Sequence, residues 1–147
     1  MHDPDVKNAE RRRFFKWTLL GTAALASAVG GAGSSLLSKE KDSMVSVLED
    51  SAEVITDAAQ GSHHRLKTSQ DFRLANPVNA KDGQRIVWEI IQDEVGGRKM
   101  SLDNKFVFGT DLTKVELTPA AQKRDFLTAI YNQSVDKWHV VAFIRGY

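Results

Sequence analysis

The sequence predicts a mainly α-helical fold, with α+β as the alternative, for a small domain of residues 44–147 that follows an N-terminal segment of different character. Two observations carry the helical expectation. Apolar residues recur at three- and four-residue spacing in Met44 or Val45, Leu48, Ala52, Ile55 and Ala59, the period of one helix face. A second pattern, Phe126, Leu127, Ile130 and Tyr131, follows Leu117-Thr118-Pro119, where threonine is a candidate N-cap and proline suits the first helical position.

Taken in chain order, the first helix is expected to start from an N-cap at Ser43 and end before Gly61. Ser46 stands where a glutamate would complete a capping box. Residues 61–81 lack sustained periodicity and contain Pro77, which predicts a surface loop or extended segment. Between Gly83 and Val95, Val87, Ile90, Ile91 and Glu94 or Val95 share one helical side, and Gly96-Gly97 offers a stop. The run Ile86-Val87-Trp88-Glu89-Ile90-Ile91 is also rich in strand formers, so a strand stays open there.

Phe106-Val107-Phe108 before Gly109-Thr110-Asp111 suggests a short strand with a turn, or a buried irregular segment. The region from Thr118 is expected to be the best helix of the domain, breaking near Ser134. In the closing run, Trp138, Val140 and Ala142 alternate with His139, Val141 and Phe143. Since the last two of these are apolar, a helix capped by Ser134 and a fully buried strand fit equally.

Composition narrows the chemistry. The 147-residue chain has 20 basic and 19 acidic residues, a formal net charge of +1 and no cysteine. Disulfides, thiolate metal sites and thiol nucleophiles are therefore excluded, and no bulk positive charge favours nucleic acid as a partner. His63, His64 and His139 lack the spacing of a metal motif. Asp93, Glu94, Asp103, Asp111 and Glu116 read as solvated charge, and no nucleophile elbow or phosphate-binding glycine loop is present. The expectation is no catalytic residue, no metal and no cofactor. Trp and Tyr are enriched at interface hot spots, which makes Tyr131 and Trp138, rimmed by His139 and Arg145, the expected partner contacts.

The N-terminus carries an address. Glu10-Arg11-Arg12-Arg13-Phe14-Phe15-Lys16 runs into Trp17–Leu37, which has 21 residues without a charge. This resembles the twin-arginine export signal of bacteria, with Arg11 and Arg12 as the pair, Phe14 and Phe15 as the apolar positions and Lys16 closing the motif. Glu10 stands where that signal often has serine or threonine. The resemblance implies the twin-arginine translocase as a partner and a location on the periplasmic side of the inner membrane.

Ala26-Ser27-Ala28 offers small residues at Ala26 and Ala28 for cleavage. The uncharged stretch is also about as long as the ~20 residues needed to span a bilayer, so retention as an anchor is the other outcome. Residues 1–37 are thus expected to be signal or anchor, 38–43 a linker and 44–147 a periplasmic domain.

A second resemblance rests on Leu117-Thr118-Pro119 and Phe126–Asp136, which look like the helical region of the gluconate dehydrogenase subunit 3 group, small subunits of membrane-associated flavin dehydrogenases. The chain ends without the cysteine and aromatic-rich tail of that group. The two resemblances together imply a non-catalytic accessory subunit that helps assemble, export or anchor a larger catalytic or membrane subunit of an oxidoreductase complex. A cofactor-free periplasmic enzyme, or a structural subunit of another membrane complex such as a respiratory or photosynthetic one, is the alternative.

Overall fold

Two-residue alternation, the period of a strand, governs the domain from its first elements. Val54, Thr56 and Ala58 are buried while Ile55 between them is 61% exposed. Residues expected on one helix face therefore point to opposite sides of an extended chain. The computed structural model describes residues 43–147 and shows nine strands, one 3-10 turn at Ala58–Gln60 and no α-helix among the described residues. The mainly α expectation is therefore corrected to an all-β architecture. Arg11, Arg12, Phe14, Phe15, Lys16, Ala26 and Ala28 lie outside the described residues, and so does the expected anchor Trp17–Leu37. Among the described residues no helix is long and apolar enough to cross a membrane.

The strands are β1 (Val45–Val47), β2 (Glu53–Val54), β3 (His63–Thr68), β4 (Phe72–Leu74), β5 (Arg85–Gln92), β6 (Met100–Leu102), β7 (Phe106–Phe108), β8 (Arg124–Asn132) and β9 (Lys137–Ile144). They form a six-stranded sheet in the order β1-β3-β5-β8-β9-β7 and a three-stranded sheet in the order β2-β4-β6. Neighbours β1, β3 and β5 are parallel, as are β2, β4 and β6. Parallel neighbours need a crossover, and here the crossover from each large-sheet strand passes through the small sheet. The chain thus makes three successive turns, after which the hairpin β8–β9 extends the large sheet in antiparallel fashion and β7 adds to its far edge parallel to β9.

The core lies on one face of the six-stranded sheet, where Leu66, Ile86, Trp88, Ile90, Leu127, Ala129 and Trp138 are buried together with Val54, Phe72 and Leu74 of the small sheet. Trp88 meets Phe106 and Trp138 edge-on at ring separations of 5.6 and 5.9 Å, and Tyr131 packs on Trp138 at 5.1 Å. Such pairs add stability beyond the apolar area they bury. The indole nitrogen of Trp88 donates to Thr56 Oγ1 at 2.9 Å, tying β5 to the chain just beyond β2.

The three expected helices fail for a common reason. In β8, Leu127 and Ala129 are buried in the core while Phe126, Thr128 and Ile130 line the other face. Because both faces carry apolar side chains, the run satisfies a helical template by accident. In β5, Ile86, Trp88 and Ile90 point inward and Val87, Glu89 and Ile91 outward. Thr118 does not cap a helix; its backbone N–H and hydroxyl donate to the Asp125 carboxylate at 2.6 and 2.7 Å. The segment expected to be a loop, 61–81, contains β3 and β4. Its alternation is disguised because the inward positions of β3 include His64 and Thr68 beside Leu66.

Candidate functional site

Strand register brings the charged residues of β3, β5 and β8 onto the face of the large sheet opposite the core. Arg65 pairs with Glu89, and Glu89 with Phe126, across adjacent strands, while Ile91 pairs with Arg124. Glu89 is only 2% exposed. Its Oε2 accepts from Arg65 Nε at 2.7 Å and its Oε1 lies 2.9 Å from Arg124 Nε. His63 Nε2 lies 3.2 Å from the same carboxylate, at ion-pair distance but off the direction of a hydrogen bond. A buried carboxylate is tolerated when it is paired in this way. Each of its two oxygens thus meets a guanidinium group of a neighbouring strand.

Around this cluster the outer face is apolar and partly open. Val47, Val141 and Ile144 are 75%, 51% and 51% exposed, and Val87, Ile91, Phe126, Thr128 and Ile130 are half-buried. Val141 faces outward by alternation with Val140, and the register shift at Thr128/Ala129 then makes a bulge in β9 that brings Ala142 and Ile144 to the same face, opposite Thr128 and Phe126. Arg65, Lys67, Arg85 and Arg124 belong to this face by register, with Glu89 buried among them and the exposed Glu94 4.0 Å from Lys67.

Two further carboxylates are engaged by neighbouring side chains. Arg98 donates to Asp93 at 2.8 Å, and this bond, followed by the Gly96 backbone N–H, holds the Asp93 carboxyl below its ordinary value. Asp136 accepts from Lys105 and from the Tyr131 hydroxyl, which keeps its carboxyl low and pushes the Tyr131 phenol up. Among the described residues, no group of three His, Cys, Asp or Glu is placed to hold a metal ion.

Of the four residues expected at a partner surface, Tyr131 and Trp138 pack on each other, while His139 and Arg145 are exposed. Trp138 is fully buried, and Tyr131 is half-buried with its ring on Trp138 and its hydroxyl on Asp136. His139 is exposed beside Ile130 on the outer face, and Arg145 is exposed at the end of β9, where it reaches the Leu117 carbonyl at 3.4 Å. The Glu89 cluster was not anticipated. Its signal was the arginine at the middle of His63-His64-Arg65-Leu66-Lys67-Thr68 together with the lone carboxylate within Ile86–Ile91, but only strand register joins them.

No family model, no characterised protein and no solved structure matches the chain. The likeness to the gluconate dehydrogenase subunit 3 group is overturned, because Phe126–Asp136 forms β8 and the hairpin turn rather than a helix. The derived reading of a helical, membrane-anchored accessory subunit of a redox enzyme, with its export route and periplasmic location, is withdrawn with it. The domain is a two-sheet β structure with a buried charge cluster on its open sheet face.

Proposed function

We propose that residues 43–147 form a structural module that docks a protein partner through the outer face of the six-stranded sheet and carries out no reaction of its own. The observation that supports this is the combination of half-buried Val87, Ile91, Phe126 and Ile130 with a carboxylate already neutralised in their midst. An apolar surface of this kind is favourable to cover, and a prepaired Glu89 can be covered without leaving an isolated charge in the interface. The remaining cations on the face select a partner whose apolar surface is bordered by carboxylates. The alternative of a cofactor-free enzyme gains little from the same geometry, since Glu89, Asp93 and Asp136 are each held by a cation of the fold.

The full chain, purified under native conditions from its own cells, is expected to travel in a particle heavier than one chain when measured by size exclusion with light scattering. Phe126→Asp combined with Val87→Asp should release it as a monomer with an unchanged far-ultraviolet spectrum. A wild-type monomer, or a particle indifferent to both substitutions, would remove the basis for this function.

A further inference from the structure

A second feature lies away from the outer sheet face. Residues 97–100 and 115–119 face each other across a cleft of about 520 Å3, within the size range of small-molecule sites. Both walls are fixed by buried polar side chains. On one side the Gln92 amide, 1% exposed, accepts from the Arg98 N–H at 3.0 Å and donates to the Arg98 carbonyl at 2.9 Å. On the other, Asp125 accepts from the Thr118 N–H, the Thr118 hydroxyl and the Gly146 N–H at 2.6, 2.7 and 2.9 Å. Gly97 N–H then joins the walls through the Pro119 carbonyl at 2.8 Å. Such a cleft holds its shape before a ligand arrives, which reduces the ordering cost of binding.

Its chemistry is uneven. Met100, Val115, Leu117 and Pro119 give it an apolar lining, while Lys99 and Arg145 stand at its rim without a salt bridge among the described residues. The one acid in the lining, Glu116, is engaged by Lys114 at 2.9 Å, and Arg98 is engaged by Asp93. The two cations therefore face a cleft of mixed polar and apolar lining; Lys99 has no salt bridge among the described residues, and Arg145, which reaches the Leu117 carbonyl, helps Lys114 hold the Glu116 carboxyl low without pairing with it directly. Arginine offers a planar fork suited to a carboxylate.

We propose that this cleft binds a small organic carboxylate, its charged end on Arg145 and Lys99 and its apolar body against Met100, Val115 and Leu117. The site stands apart from the docking face, so either can fail without the other.

The test titrates the full chain with hexanoate, hexanamide and acetate by ligand-observed NMR. Hexanoate is expected to saturate, with hexanamide and acetate each weaker by about tenfold or more. Lys99→Gln with Arg145→Gln should weaken hexanoate by about tenfold or more, while Arg85→Gln on the sheet face leaves it unchanged. Thermal unfolding of each variant confirms that the fold is retained. Equal binding of hexanoate and hexanamide, binding that survives the double substitution, or no saturation by about 10 mM overturns the proposal.

Discussion

Glu89 and Asp125 are the two buried carboxylates among the described residues, at 2% and 1% exposure, and they are held in opposite ways. Glu89 is gripped by side-chain cations from two neighbouring strands, Arg65 and Arg124, whose side chains are 43% and 45% exposed. Asp125 is gripped by backbone N–H groups and a hydroxyl of two irregular segments. The guanidinium groups can turn into water if their partner disappears, whereas the N–H groups of Thr118 and Gly146 can follow only if the chain moves. Glu89 thus conditions a surface, and Asp125 fastens loops that have no strand ladder of their own.

The largest expected loss follows from that difference. Asp125→Leu strands three donors at once, and unfolding in urea should show a loss of about 3 kcal/mol or more. The same variant should weaken hexanoate binding, since the wall at 115–119 loses its fastening. A loss below about 1 kcal/mol would mean that solvent readily replaces the carboxylate and that the loops are not held by it.

Gly96→Ala attacks the neighbouring contact. A Cβ built there would sit 2.5 Å from the Pro119 carbonyl oxygen and 2.7 Å from the Ala121 nitrogen, on a residue with φ of +75°. Backbone atoms cannot yield as a flexible side chain would, and alanine is strained at this φ, so a cost of about 2 kcal/mol is expected. Gly97→Ala also meets a positive φ, of +78°, but with nothing within 4 Å of the added Cβ, so it should cost less than Gly96→Ala. Equal costs for the two would show that conformational strain alone, not the close approach, matters at this loop.

Glu89→Met should cost less than Asp125→Leu, about 1 to 2 kcal/mol, because Arg65 and Arg124 regain water when the carboxylate is lost. Its clearer effect belongs to assembly: two freed guanidinium groups make the outer face more basic, and a particle held through that face should become more sensitive to salt. If Glu89→Met destabilised the chain as much as Asp125→Leu, the distinction between a re-solvating and a non-re-solvating partner set would not hold.

How much of this was legible in the sequence depends on which interaction decides each element. Phe106–Phe108 and the closing run 137–144 carried enough β-branched and aromatic residues for a strand to be one of two readings. The strand β8 was hidden because outward Phe126 and Ile130 are as apolar as inward Leu127 and Ala129, while a charged residue, Asp125, sits on the inward side, so no polar face marked the period. In β3 the opposite happened, with His64 and Thr68 buried and only Leu66 marking the core side. The cleft and the Glu89 cluster were illegible for a further reason. Arg65, Glu89 and Arg124 are separated by 24 and 35 residues of chain, and only the pairing of β3, β5 and β8 makes them neighbours.

The exposed carboxylate Asp136 completes the contrast, and its effect is the smallest and the most easily read by pH. It accepts from Lys105 Nζ and from the Tyr131 hydroxyl at 2.7 and 2.8 Å. The Lys105 bond, with the Tyr131 bond next, keeps the Asp136 carboxyl below its ordinary 3.8, so the stability it contributes is present above that pH and is lost as pH falls through the lowered value. The same contact raises Tyr131 above 10.0 and Lys105 above 10.5. Each of these groups holds its proton more tightly in the folded chain, so their contribution is complete below those values and is lost as pH rises through the raised ones. Asp136→Asn should therefore flatten both the acid and the alkaline limb of the stability profile by lowering its middle, while the two extremes, where the contact is already lost, stay nearly unchanged. The direct reading is the phenolate absorbance of the folded chain, which should titrate at lower pH in the variant. Phenolate titration that does not move would mean that burial beside Trp138, rather than the Asp136 bond, raises Tyr131.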